Sequence, residues 1–132
     1  MIENTSLLTS ELIVRVSLFI AATIGLAGGV LQMYLGQPDT SPRLDNVHRF
    51  MAGVYFSTGF INFWAGITIQ QQGTLVYLLA FGILCGGIGR LISIKKVGLP
   101  KPTILWIGYL IPELCLPFII AVAHYFTNHT VI

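Results

Sequence analysis

Charge is scarce in this sequence. Of 132 residues only 9% are Asp, Glu, Lys or Arg, whereas 55% are hydrophobic. A soluble domain carries about 25% charged residues, so this depletion, with a mean hydropathy of +0.81, argues against a water-soluble globule. The net charge of +2 is too small to suggest a nucleic-acid partner. Cysteine is equally sparse. Cys85 and Cys115 fall inside apolar stretches, with no CxxC or Cys/His metal spacing, so two buried, reduced thiols are expected. Phosphate loops, GxSxG and HExxH are also missing, which removes the common grounds for assigning an enzyme. The N-terminus has no basic region before its apolar run and carries Glu3 and Glu11, so a cleaved signal is not expected.

What the chain does have is long apolar runs. Four of them, at about 12–35, 47–69, 75–95 and 103–126, are long enough for the ~20 residues that cross a bilayer as a helix. The expected fold is all-α, an integral membrane four-helix bundle forming one domain. Between the runs lie Gly36–Asn46, where Pro, Asp, Ser and Thr favour a turn, the short Gln70–Thr74, and Lys95–Pro102. Asp45 or Asn46 could cap the second helix. Pro112 and Pro117 should kink the fourth.

Small residues recur at helical spacing. Ala21, Gly25, Gly28 and Gly29 mark the first run, and Gly82, Gly86, Gly87 and Gly89 the third. In lipid such stripes let helices approach closely, so Gly25, Gly29, Gly82, Gly86 and Gly89 are expected at helix contacts. Two glycine faces exceed the need of one four-helix core, and a homo-oligomer, dimer or trimer, would use the excess. Asn62, mid-run, is expected to bond across to another helix.

The most informative residues are ionisable ones in or beside the apolar runs: Arg15, Asp45, His48, Arg49, Arg90, Glu113 and His124. A charge in the bilayer costs several kcal/mol unless paired or hydrated. Glu113 is ten residues into the fourth run, about 15 Å at 1.5 Å per residue, and so near the midplane. It needs a cation. Arg90 is the first choice, because its fork can hold a carboxylate, and Arg49 the second. Asp45 and Arg49 can pair at i,i+4, as can Glu11 and Arg15. One polar network joining runs two, three and four is expected. It could be a structural lock, a proton or ion relay through Glu113, or a pocket where Arg49 and Arg90 hold an anionic lipid. His48 and Asp45 offer only two metal ligands, too few for a zinc site unless a symmetric oligomer places His48 on its axis. No cofactor is required, although a divalent metal could bind there. His124 and His129 read as wetted interfacial residues.

Basic residues fix the expected orientation. Arg43, Lys95, Lys96 and Lys101 lie in two loops at one end, with Arg49 and Arg90 nearby, against Arg15 at the other. The positive-inside rule then places both termini on the periplasmic side of an inner membrane. Tyr34 and Trp106 would sit near one interface, and Trp64, Tyr77 and Tyr125 near the other.

Two stretches add a resemblance. Leu44–Tyr55 contains NxHRF, with Asn46, His48 and Arg49. Gly86–Ser93 contains GGxGRxxS, with Gly89, Arg90 and Ser93, and runs on to Gly98-Leu99-Pro100. With Pro112-Glu113 downstream, they resemble the small four-helix bacterial membrane proteins of the DUF4345 family over about 40–130. The resemblance implies a bacterial inner-membrane protein and marks Asn46, His48, Arg49, Gly89, Arg90, Ser93 and Glu113. It supplies no reaction. The expected role is therefore non-enzymatic, an accessory or regulatory part in membrane homeostasis. The alternative is a proton-coupled transporter or channel using Glu113.

Overall fold

The structure, a computed structural model, describes residues 2–36 and 39–129, with side chains from Leu8 onward. Sequence expectations for the tail beyond His129 lie outside the described residues. Among the described residues there are four long helices and no strand: α1 (Ile2–Leu35), α2 (Pro42–Ile67), α3 (Thr74–Val97) and α4 (Thr103–His129), with a 3-10 turn (Ile69–Gln71) between α2 and α3. The protein is an all-α, integral membrane four-helix bundle. Within α1 the segment Leu8–Leu35, and the whole of α3 and α4, are long and apolar enough to cross a membrane. α2 is 26 residues, about 39 Å of rise, but more polar.

Helix boundaries follow local chemistry. α2 starts earlier than expected, at Pro42. The side chain of Ser41, not Asp45 or Asn46, accepts from the Leu44 amide at 3.3 Å, and proline stands in the first turn, where no N–H is needed. α1 ends at Gly36, whose φ of +64° lets its amide donate back to the Gln32 carbonyl at 3.0 Å.

The helices are not equally in contact. α1 packs along α2 and against α4, and α3 packs on α4, while α2 and α3 scarcely touch. The order around the bundle is thus α2–α1–α4–α3, with a gap between two helices that are joined by a short turn. Glycine sets the tightest contact: a Cβ on Gly25 would lie 3.1 Å from the Gly59 Cα, and one on Gly29 2.8 Å from the Phe56 Cα. Val14, Leu18, Ile69, Val76, Leu79, Leu116 and Ile120 build the core, all toward the end bearing the α2–α3 turn. That end is closed. The opposite end holds the gap and most of the charges.

Large apolar side chains face outward on every helix, among them Ile20, Phe60, Leu78 and Phe118, as a lipid-facing surface requires. Cys85 and Cys115 are free thiols on exposed positions, which corrects the expectation that both are buried.

Candidate functional site

The gap encloses a cavity of about 570 Å³. α2 contributes Tyr55, Thr58 and Asn62 to its wall, α3 contributes Gly82, Gly86 and Gly89, and α4 contributes Pro112 and Glu113. The three α3 glycines meet nothing within 4 Å of an added Cβ. They are therefore not close-packing notches within the chain, as their spacing suggested, but one bare wall of the cavity. Gly87, one position out of that stripe, is the α3 glycine that packs. Its Cβ position is 3.2 Å from the Glu113 backbone oxygen. Pro117, which has no N–H, leaves that carbonyl without its usual helical donor, and Gly87 allows α3 to come up against it.

Glu113 is 6% exposed. Arg90 Nε donates to its Oε2 at 2.6 Å, and the Tyr55 hydroxyl faces Oε1 at a long 3.4 Å. The Arg90 guanidinium lies 5.4 Å from the Trp106 ring centroid and 5.2 Å from that of Tyr109, within cation–π range. Trp106, Tyr109 and Glu113 are spaced i, i+3, i+7 and so share one face of α4, which receives Arg90 as a unit. Gly28 of α1 makes room for the Tyr109 ring, whose hydroxyl is 2.9 Å from its Cβ position. The Arg90–Glu113 pair is the one anticipated. Tyr55, Trp106 and Tyr109 were not anticipated in it.

The remaining charges do not join this group. Arg49 Nε donates to Asp45 Oδ2 at 2.8 Å, and its Nη1 donates to the carbonyl of Met33 and, at 3.5 Å, of Tyr34. Arg49 thus serves the last carbonyls of α1, where the helix dipole favours a cation. His48 and Gln32 bond at 3.1 Å. The single network is corrected to two clusters at different depths: Asp45, His48 and Arg49 bind α2 to the end of α1, and Arg90 and Glu113 join α3 to α4. Asn46 and Ser93 are exposed and join neither. Among the described residues no group of three His, Cys, Asp or Glu could hold a metal.

Two further positions differ from expectation. Asn62, 3% exposed, does not bond across to another helix. Its Nδ2 donates to the Thr58 carbonyl of its own helix at 2.9 Å, leaving Oδ1 buried without a partner. His124 is not wetted but 1% exposed. It bonds the Gly73 carbonyl at 3.0 Å and meets the Tyr77 ring edge-on, so α4 clamps the α2–α3 turn. Beside it, Thr127 bonds Ser10 at 2.7 Å, and Glu11 takes Arg15 at 3.0 Å and Gln70 at 3.3 Å.

The arrangement is a mostly apolar cleft, open between two membrane helices, with one neutralised ion pair at its wall and an unmet hydrogen-bond acceptor further along it. Such a site can receive a molecule from the bilayer. The family model described as "Domain of unknown function (DUF4345)" matches residues 10–124. No curated protein and no solved structure matches the chain.

Proposed function

The chain belongs to the DUF4345 family, and from that premise we propose a small inner-membrane protein that acts by binding and not by catalysis. Its role on this reading is accessory or regulatory, in membrane homeostasis: ion balance, membrane potential, envelope integrity or drug sensitivity. The observation that carries the reading is the cavity of about 570 Å³ between α2 and α3, a volume typical of small-molecule sites (roughly 300–1,000 Å³) and reached from the side, where lipid lies. On this reading the positive-inside rule puts the basic loops in the cytoplasm, and so both termini on the periplasmic side. A homo-oligomer is part of the proposal. The α1 glycines are already spent on α2 and α4, and the α3 stripe lines the cavity, so the outer faces of the bundle remain for it. An anionic lipid near the Arg43, Lys95, Lys96 and Lys101 loops fits the same charge pattern.

The test is genetic. Deletion should change membrane potential and sensitivity to cationic antimicrobials. Wild type should restore both, and Gly86→Leu, whose Cβ has open space and whose side chain occupies the cavity, should not. A deletion strain indistinguishable from its parent in both measures overturns the reading.

A second reading, proton-coupled transport, is favoured by one observation. Glu113 lines the cavity while contacting both Arg90 and Tyr55, as a carboxylate that changes partners during transport would. In liposomes under an imposed potential, flux that disappears in a folded Glu113→Gln variant supports it. Flux that survives the substitution rules out Glu113 as the carrier of the proton.

A further inference from the structure

The walls of the cleft say what kind of molecule they suit, and this step rests on the binding reading above. Charge comes first. Among the described residues lining the cavity, Glu113 is the only carboxylate and no Lys, Arg or His joins it, and Arg90 already neutralises it at 2.6 Å. An anionic headgroup would meet that carboxylate, and a cationic one would compete with Arg90. Either would place an uncompensated charge in a low-dielectric site, at a cost of several kcal/mol. The occupant is uncharged.

Hydrogen bonding comes second. Tyr55, Thr58 and Asn62 lie along the cavity face of α2, and each has already committed a hydrogen. Tyr55 donates to Glu113, Thr58 to the Val54 carbonyl at 2.9 Å, and Asn62 to the Thr58 carbonyl. Beyond the second Nδ2 hydrogen of Asn62, what they still offer is acceptor oxygen. Asn62 Oδ1 has no partner although its residue is 97% removed from solvent. Its amide cannot simply be reversed, because only Nδ2 can donate to the Thr58 carbonyl. A buried acceptor left unmet costs about 1–3 kcal/mol, and a donor on the occupant would relieve it.

Shape comes third. Met51 to Asn62 on the α2 side covers eleven steps of helix, about 16 Å of rise, and the facing α3 wall carries Gly82, Gly86 and Gly89 beside Ile83 and Cys85. A smooth wall of that length fits an extended hydrocarbon chain. We infer that the cleft holds a single-chain, uncharged lipid bearing a hydroxyl group, of the monoacylglycerol kind, with its hydroxyl donating to Asn62 Oδ1 and its chain against Gly82, Gly86 and Gly89.

The experiment uses full-length protein in lipid nanodiscs, free of detergent. It is offered equal amounts of monooleoylglycerol, methyl oleate and oleoyl lysophosphatidic acid. These share a chain but differ in carrying a neutral hydroxyl head, no donor, or a phosphate. Lipid released with the protein is then quantified by mass spectrometry. Wild type should retain monooleoylglycerol about five- to tenfold over methyl oleate, the size of one net hydrogen bond, and should disfavour the phosphate. Asn62→Leu should remove the preference over methyl oleate while keeping the chain. Gly86→Leu, or Gly82→Leu as its independent duplicate, should lose both neutral lipids with an unchanged melting curve.

Equal retention of monooleoylglycerol and methyl oleate by wild type, with loss of both in Gly86→Leu, overturns the hydroxyl assignment and leaves the binding reading standing. Preference for the phosphate overturns the uncharged class in the same way. Retention that is the same in wild type, Gly86→Leu and Gly82→Leu overturns both, because nothing then occupies the cleft.

Discussion

Glu113 shows how far a single residue can be read from sequence. A carboxylate ten residues into an apolar helix has to find a cation or take up a proton, and only arginines near the same end could reach it. That reasoning led to Arg90, and the 2.6 Å contact agrees. Trp106 and Tyr109 were less legible, because aromatic residues near the end of a span read first as interface anchors. Their i, i+3, i+7 spacing with Glu113 is the signal that could have shown them as a socket for Arg90. Asn62 was misread for a related reason. Its polarity was plain, but an amide can satisfy itself on its own helix, and sequence does not say which partner it takes. Since the Arg90–Glu113 pair is largely buried, Glu113→Gln should destabilise the protein by about 3–5 kcal/mol, mainly by leaving Arg90 unpaired. The double variant Arg90→Met/Glu113→Gln should recover most of that loss. Reversible unfolding in mixed micelles measures both. A double variant no more stable than Glu113→Gln would show that the pair's partners matter more than its charge balance.

At the scale of the helix, the glycine stripes carry the lesson. Periodicity identified faces of small residues on α1 and α3, and both exist. What it could not say is what each face meets. On α1 the face meets α2, with Gly25 against Gly59 and Gly29 against Phe56. On α3 the face at Gly82, Gly86 and Gly89 meets open space, and Gly87 is the residue that packs. The two classes should respond differently to the same substitution. Gly59→Leu forces apart backbones that are about 3 Å from its Cβ position, and overpacking of this kind costs typically 1–3 kcal/mol, occasionally more. Gly82→Leu adds a Cβ that meets no atom within 4 Å and extends into the cleft, so it should leave the melting temperature within a few degrees of wild type, a shift worth less than about 1 kcal/mol. Equal destabilisation by the two would mean that the α3 stripe is in contact after all, with a second copy as the natural partner.

The whole molecule depends on α2 crossing the membrane, although α2 is not among the helices apolar enough to cross on composition alone. Its polarity is directed. Gly59 and Gly66 pack on α1, Tyr55, Thr58 and Asn62 turn to the cleft, and Phe50, Phe60 and Trp64 face outward. An averaged hydropathy loses this division, because it counts a cleft-facing amide as if it faced lipid. The same averaging hid the gap between α2 and α3. Helices joined by a short turn are expected to be neighbours along their length, yet here they part above the core at one end, and His124 of α4 holds their turn. If α2 crosses, the α2–α3 turn and the α1–α2 loop lie on opposite sides, and the basic loops set which side is which. In a background with Cys85 and Cys115 replaced by Ala, an impermeant maleimide applied to intact cells should label Gln72→Cys and not Asp39→Cys. Permeabilisation should then expose Asp39→Cys. Labelling of both positions in intact cells would place the turn and the loop on one side. α2 would then lie along the surface, and the cleft between α2 and α3 would open to water and not to the bilayer.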